Sequence, residues 1–295
     1  MTKKRFLTTL VLFLAVSFIG VTNTAQAGHH MKPVKKGILL VAFGSSMPEA
    51  QVSFDNMDKA VKAAFPGVPV RWAYTSRIIR HKIAKEGKYV DSTAVALARM
   101  LDDNFTHVAV QSLHTIPGEE YDDLINIVNA FKAINGGFEK VIVGRPLLGS
   151  MEDMNDVVDA VIANIPKERK KKEAVVFMGH GTPHASNTAY AAMMFHLQRK
   201  DLNIFVGTVE GSPTIDDIKA MLKEKGIKKT YLIPFMSVAG DHARNDMAGD
   251  EEDSWKSILT QAGIECVPVL KGTAEYANMV NLWTAHLKQA FAHFK

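Results

Sequence analysis

The chain has 295 residues, a formal net charge of +4, 47% hydrophobic residues and a single cysteine, Cys266. One cysteine excludes an intramolecular disulfide framework and a cysteine-based metal site, so a packed core must supply the stability. Nucleic-acid binding is not indicated by the sequence. Removal of a leader that contains the basic residues at positions 3–5 lowers the formal net charge to +1, and no basic stripe with interleaved aromatic residues occurs.

The first 27 residues are predicted to be a cleaved signal peptide. Residues 3–5 form a basic n-region, residues 6–21 an apolar h-region, and residues 25–27 an A-x-A cleavage site. An uncleaved anchor is the alternative, although the apolar run is short for a membrane span. We therefore predict a periplasmic protein that is cleaved after Ala27 and carries no membrane span after cleavage.

Buried strands and amphipathic helices alternate along the rest of the chain. Apolar runs predict strands at residues 37–43, 68–74, 107–113, 141–144, 175–178, 203–206, 230–234 and 264–269. Helices are predicted between most of these strands, with a long polar connection over residues 75–91 and a closing helix over residues 275–294. Five basic residues among the seven of 166–172 predict a solvated interdomain linker.

The order of elements repeats within the chain. Residues 40–45 align with residues 177–182, and residues 109–120 align with residues 231–242. This repeat predicts an α/β fold of two pseudo-symmetric doubly wound domains, each a four-stranded parallel sheet flanked by helices, with crevices facing each other. The predicted domains span residues 28–165 and 166–295, and one continuous sheet is the alternative.

Three polar residues follow three successive strands of the second half: His180, Glu210 and His242. In a flavodoxin-like strand order the first strand lies between the second and third, so the three side chains converge on one crevice. Two imidazoles and a carboxylate suit a borderline divalent ion such as cobalt, iron, nickel or zinc, and leave coordination positions open. A helix-capping turn with an incidental histidine is the alternative for His180.

The first half places His114 and Glu120 at a position equivalent to the end of the third strand of the second half, where they are expected to face the same cleft. A carboxylate that interacts with a helix dipole is the alternative for Glu120. Beyond His242, Asp246 and Asp250 would share a helical face and relay a metal ion inward. An acidic first turn of the next helix is the alternative for Asp250.

Residues 177–182, 111–121 and 235–243 together resemble the anaerobic cobalt chelatases, the sirohydrochlorin cobaltochelatases related to protoporphyrin ferrochelatase. The resemblance covers essentially the whole mature chain and implies a chelatase-like pair of domains. It also implies insertion of Co²⁺, with Fe²⁺ as a second candidate, into sirohydrochlorin. Two cleft histidines bind the metal and act as bases in that family; by motif these are His180 and His242, with Glu210 as a further ligand. The signal peptide departs from the family, because corrin synthesis is ordinarily cytoplasmic.

The implied chemistry agrees with the residue types. Neutral imidazoles, with an unperturbed pKa of about 6.5, both ligate a metal ion and accept protons from pyrrole nitrogens. Residues expected to bind the polyanionic tetrapyrrole are Ser45, Ser46, His114, Glu120 and Arg145, with a solvated surface side chain as the alternative for the arginine. A non-catalytic periplasmic metal- or haem-binding protein is the competing hypothesis, although the sequence does not support a haem. The sequence is compatible with a homo-oligomer.

Overall fold

Two four-stranded parallel sheets lie within residues 33–294, which are the residues that the computed structural model describes. The predicted signal peptide and its cleavage site fall outside these residues. The first sheet contains β1 (Lys36–Ala42), β2 (Val70–Tyr74), β3 (His107–Ser112) and β4 (Lys140–Gly144). The second contains β5 (Ala174–Gly179), β6 (Ile204–Thr208), β7 (Lys229–Pro234) and β8 (Glu265–Pro268). The strand orders β2-β1-β3-β4 and β6-β5-β7-β8 confirm the predicted fold class and the central place of the first strand in each half.

The strands are connected by helices, which are α1 (Gln51–Ala64), α2 (Arg77–Ala84), α3 (Thr93–Asp102), α4 (Glu119–Lys132), α5 (Met151–Ala163), α6 (Thr188–Gln198), α7 (Ile215–Glu224), α8 (Trp255–Gln261) and α9 (Ala277–Ala292). Helix α2 lies inside the predicted polar connection over residues 75–91, so that prediction is wrong in part. The Ser76 hydroxyl accepts a hydrogen bond from the Ile79 N–H and caps this helix. Basic residues occupy half of the helix, so its apolar positions do not form an evident pattern in the sequence. Among residues 33–294, no helix combines the length and apolar character that crossing a membrane requires.

The strands β1 and β5 are apolar beyond Lys36 because helices cover both faces of each sheet. Every residue of β5 is buried, and so is every residue of β1 after Lys36. One apolar core lies between the halves and contains Leu40 from the first sheet, Phe177 from the second and Trp283 from α9. Two further cores lie on the opposite faces of the sheets. The halves therefore share packing, which fixes one sheet against the other.

The last helix packs across the predicted domain division. Helix α9 follows the second sheet in sequence, but it packs on β3, β4, α1 and α5 of the first half. His286 Nε2 hydrogen-bonds Asp153 at 2.9 Å, and the rings of Phe291 and Phe65 lie 4.8 Å apart. The predicted domain of residues 166–295 thus ends in a helix that completes the apolar cover of the first sheet.

The carboxyl edges of the two sheets face each other, as the repeat predicted. The loop after β1 meets the loop after β7, where a Cβ added to Gly240 would lie 3.3 Å from the Ser45 hydroxyl. The loop after β3 meets the loop after β5, where His184 Nε2 lies 3.4 Å from an Asp122 carboxylate oxygen. These contacts bring the strand ends of both halves to one cleft.

Candidate active site

His180 is the first residue after β5, and the loop around it is held closely against the loop after β6. Gly181 has a φ of +83°, and a Cβ at this position would lie 2.8 Å from the Gly211 nitrogen, so the site requires glycine. The Glu210 N–H donates to the His180 carbonyl at 2.7 Å and places these two residues side by side. The imidazole Nδ1 lies 2.9 Å from the Gly181 carbonyl oxygen. A carbonyl only accepts, so Nδ1 carries the proton and the neutral ring keeps the Nε2 lone pair free.

His242 is oriented in a comparable way by a carboxylate. It precedes a short π-helix, Ala243–Met247, and its Nδ1 lies 2.5 Å from Asp246 Oδ2. The carboxylate accepts this hydrogen bond, so the Nε2 of the neutral ring is again free to bind a metal ion or a proton. Hydrogen bonding of the other ring nitrogen is the usual way in which a metal-binding histidine is oriented. Asp250 does not continue the predicted relay, because it pairs with Lys256 at 2.6 Å.

The two imidazoles form a pair at the cleft. Their ring centroids are 4.7 Å apart with an interplanar angle of 88°, and both side chains are about one-third exposed. Glu210 Oε2 lies 3.8 Å from His180 Nδ1. Within residues 33–294, no three His, Cys, Asp or Glu side chains are close enough together to hold a metal ion. The pair was predicted to converge and does so, whereas the role of Glu210 as a third ligand stays a prediction.

The predicted residues of the first half lie at the facing edge. The Ser45 hydroxyl accepts a hydrogen bond from the Met47 N–H at 3.1 Å, and Ser46 lies between them in the same loop. The His114 Nδ1 lies 2.8 Å from the Ser112 hydroxyl, while its Nε2 has no hydrogen-bond partner and lies 4.0 Å from Glu120 Oε2. Burial lowers the pKa of His114 to about 4, so this imidazole is neutral at physiological pH.

Arg145 is engaged in an ion pair rather than directed freely into the cleft. Its Nε and Nη2 donate to the two carboxylate oxygens of Asp153 at 3.0 and 2.9 Å, and its Nη1 donates to Gln289 at 3.0 Å. Burial raises the pKa of Asp153, but hydrogen bonds from Arg145 and Ser150 outweigh burial and hold this pKa below its usual value. All three guanidinium nitrogens have partners, so a substrate carboxylate would compete with Asp153 for this arginine.

Two features of the cleft were not predicted. The exposed ring of Phe43, the residue after β1, lies 6.4 Å from the His180 ring between centroids. The sequence repeat aligned Phe43 with His180, and this alignment is the signal that could have identified Phe43 as a residue of the cleft. The contact between Asp122 and His184 joins the two halves, and no local pattern in the sequence indicates it.

An open groove elsewhere on the described part of the chain contains none of the predicted site residues. Its volume is about 770 Å³ and it lies beside β2, at the edge of the first sheet, where it is lined by Trp72, Tyr89 and neighbouring charged residues. The chemistry-bearing side chains converge instead at the facing sheet edges.

Solved structures of SirB and CbiX have a fold similar to that of this chain. SirB from Bacillus subtilis with Fe³⁺ superposes with a TM-score of 0.61 at 14% identity, covering 88% of this chain and 97% of that chain. CbiX, the terminal enzyme for biosynthesis of siroheme in denitrifying bacteria, gives a TM-score of 0.54 at 14% identity, covering 86% and 99% of the two chains. The two parallel sheets flanked by helices are therefore the fold that this chain has in common with these two proteins.

The chain belongs to the cobalt chelatase (CbiK) family, whose sequence profile matches residues 36–292. It is 45% identical over 271 residues to the sirohydrochlorin cobaltochelatase CbiKC of Nitratidesulfovibrio vulgaris, covering 92% of this chain and 96% of that protein. It is 34% identical over 259 residues to the sirohydrochlorin cobaltochelatase of Salmonella typhimurium, covering 87% and 97%. Family membership confirms the resemblance that the sequence motifs indicated.

Proposed function

We propose that the protein inserts Co²⁺ into sirohydrochlorin and releases two protons. The observation that carries this proposal is the imidazole pair, with rings 4.7 Å apart and each Nδ1 engaged so that Nε2 is free. Membership in the cobalt chelatase family supports the metal, and the names of the two relatives support the tetrapyrrole. Fe²⁺ is proposed as a second metal substrate, because imidazole and carboxylate ligands bind both ions.

The two histidines act first as ligands and then as bases. Each Nε2 replaces a water molecule of the hydrated ion, and Glu210 supplies a carboxylate oxygen after rotation of its exposed side chain. One nitrogen cannot hold the ion and a proton together, so His180 and His242 accept the two pyrrole protons as the ion passes to the macrocycle. The Asp246 carboxylate stabilises the imidazolium that forms at His242, and the Gly181 carbonyl accepts from Nδ1 of the imidazolium at His180.

The facing residues of the first half bind the tetrapyrrole in this proposal. Ser45 and Ser46 offer hydroxyl groups at the loop beside Gly240, and Arg145 would bind a substrate carboxylate only in exchange for its present partner Asp153. His114 is neutral, so its Nε2 donates to the Glu120 carboxylate once the two approach hydrogen-bond distance.

Replacement of each histidine tests the proposal. Purified protein is mixed with sirohydrochlorin and Co²⁺, and the absorbance change is followed against a control without protein. His180→Ala and His242→Ala should each lose activity by at least about 100-fold, the typical contribution of a positioned base. The exposed His293 provides the control, since His293→Ala removes an imidazole far along α9 and should retain activity. Metal binding without any accelerated insertion would favour a non-catalytic binding protein.

We also propose that the protein acts in the periplasm. The support is the composition of residues 1–27, with a basic start, an apolar run and an A-x-A site. N-terminal sequencing of protein from the periplasmic fraction should begin at Gly28. Recovery of the uncleaved chain from membranes would contradict this location.

A further inference from the structure

The internal repeat places Phe43 at the position that His180 occupies in the second half. The glycine after each residue has a positive φ, +102° after Phe43 and +83° after His180. The Ser76 N–H donates to the Phe43 carbonyl at 3.2 Å, just as the Glu210 N–H donates to the His180 carbonyl at 2.7 Å. Phe43 and Ser76 are therefore the structural counterparts of His180 and Glu210.

These counterparts differ from the proposed metal ligands in chemistry. Phe43 has no donor atom, and the buried Ser76 hydroxyl already caps α2. The counterpart of His242 in the repeat is Glu120. Among the three counterparts, only Glu120 carries a side chain typical of metal ligands. The same backbone arrangement thus presents ligands in the second half and a phenyl ring in the first.

The position of the Phe43 ring indicates an apolar contact surface directly opposite the imidazole pair. Single exposed hydrophobic residues are common on protein surfaces. Phe43 differs from these because it is 43% exposed and its ring lies 6.4 Å from the His180 ring between centroids. The Phe43 side chain therefore leaves apolar surface at the cleft that folding does not bury.

The spacing suits a flat conjugated ligand. A planar ring system contacts carbon atoms on each face at about 3.5 Å, so two side-chain rings on opposite faces lie about 7 Å apart. The observed 6.4 Å between the centroids of Phe43 and His180 falls short of this by less than 1 Å, and the two rings are tilted by 46°, so the Phe43 ring must also turn to lie flat on the ligand. A small widening of the cleft admits the macrocycle with a phenyl ring on one face and imidazole nitrogens on the other.

We infer that Phe43 contacts the face of the tetrapyrrole and holds the macrocycle against the imidazole pair, an inference that rests on the proposed function. The ion then enters from the His180 face, because the opposite face is covered by a ring that cannot ligate it. Phe43 is a substrate-contacting residue in this arrangement, and it binds neither the ion nor a proton.

Titration of the purified protein with metal-free sirohydrochlorin tests this role. Phe43→Ala should weaken tetrapyrrole binding about tenfold and raise the KM for sirohydrochlorin by a similar factor, since an aromatic face contact is lost. The KM for Co²⁺ and kcat at saturation should stay within about twofold of the wild-type values, because the metal ligands are untouched. Phe43→Tyr keeps the ring and should restore binding.

Phe195→Ala is the matched control, because Phe195 is also exposed but its ring contacts His196 on α6. Equal binding by Phe43→Ala and Phe195→Ala, in a protein that binds sirohydrochlorin and inserts Co²⁺, would overturn this inference alone. Failure of the wild-type protein to bind or metallate sirohydrochlorin would overturn the proposed function and this inference with it. If Phe43→Ala does not fold, Phe43→Leu retains apolar volume without the planar ring and should show the same weakened binding.

Discussion

Replacement of Asp246 by asparagine tests whether the imidazole pair is organised for metal transfer. The Asp246 carboxylate accepts the Nδ1 proton of His242 at 2.5 Å and so turns the Nε2 lone pair outward. Asparagine keeps the size of the side chain but removes the negative charge. We expect Asp246→Asn to weaken both the binding of Co²⁺ and the ability of His242 to accept a proton.

The expected size of the effect follows from the exposure of this pair. Loss of a hydrogen bond behind a metal-binding histidine typically costs 10- to 100-fold in metal affinity or activity. His242 and Asp246 are 33% and 43% exposed, so solvent screens their interaction and favours the lower end of that range. A decrease of about tenfold, equivalent to about 1.4 kcal/mol, is therefore expected.

The assay measures Co²⁺ affinity calorimetrically without the tetrapyrrole, and insertion by absorbance with it. Asp250→Asn is the matched control from the same acidic stretch, because Asp250 is 97% exposed and pairs with Lys256 rather than with an imidazole. Equal affinity and equal insertion rates in the two variants would refute the reasoning that Asp246 orients His242.

Four further replacements test stability. Burial lowers the pKa of His114 to about 4 while an unfolded histidine titrates near 6.5, so its stabilising contribution is complete above about pH 6.5 and falls by about 3 kcal/mol toward pH 4. His114→Gln should therefore flatten the pH dependence of urea unfolding over this window, and an unchanged slope would contradict the assignment. Gly181→Ala should lower the free energy of unfolding by at least about 2 kcal/mol, because it combines a positive φ with a backbone clash. Gly226→Ala, with a positive φ and open space, should cost only about 1 kcal/mol in the same measurement. Asp153→Asn should cost about 1–2 kcal/mol by thermal unfolding, because the charge-assisted hydrogen bonds from the partly exposed Arg145 are lost, and wild-type stability would show that this ion pair is not needed.

The features that the sequence predicted correctly depend on local patterns. The apolar run at residues 175–178 predicted β5, which spans Ala174–Gly179, because a strand covered on both faces is apolar at every position. His180 and His242 were expected to meet because parallel strands bring their carboxyl ends to one edge of the sheet. Topology alone thus brought together two residues that are 62 positions apart in the sequence.

The features that were missed depend on long-range packing. The apolar positions of α9, among them Trp283, predict a buried helix, but they do not specify which sheet it covers. The pairing of Arg145 with Asp153 was also missed, since a charged residue after a strand is equally compatible with a substrate contact. In both cases the partner is chosen by geometry between elements, which no window of sequence contains.

The two halves contribute separately to the proposed metal transfer, in which the ion leaves the protein with the product. The loops that carry His180, Glu210 and His242 follow β5, β6 and β7, which are hydrogen-bonded neighbours in one sheet, so the spacing of these side chains depends on a rigid element. The distance from Phe43 to His180 depends instead on contacts between the halves. A change in cleft width would therefore alter the approach of the macrocycle without disturbing the histidines. Both imidazoles are about one-third exposed, so in the proposed mechanism an ion bound by them would keep open coordination positions, through which pyrrole nitrogens would replace the protein ligands.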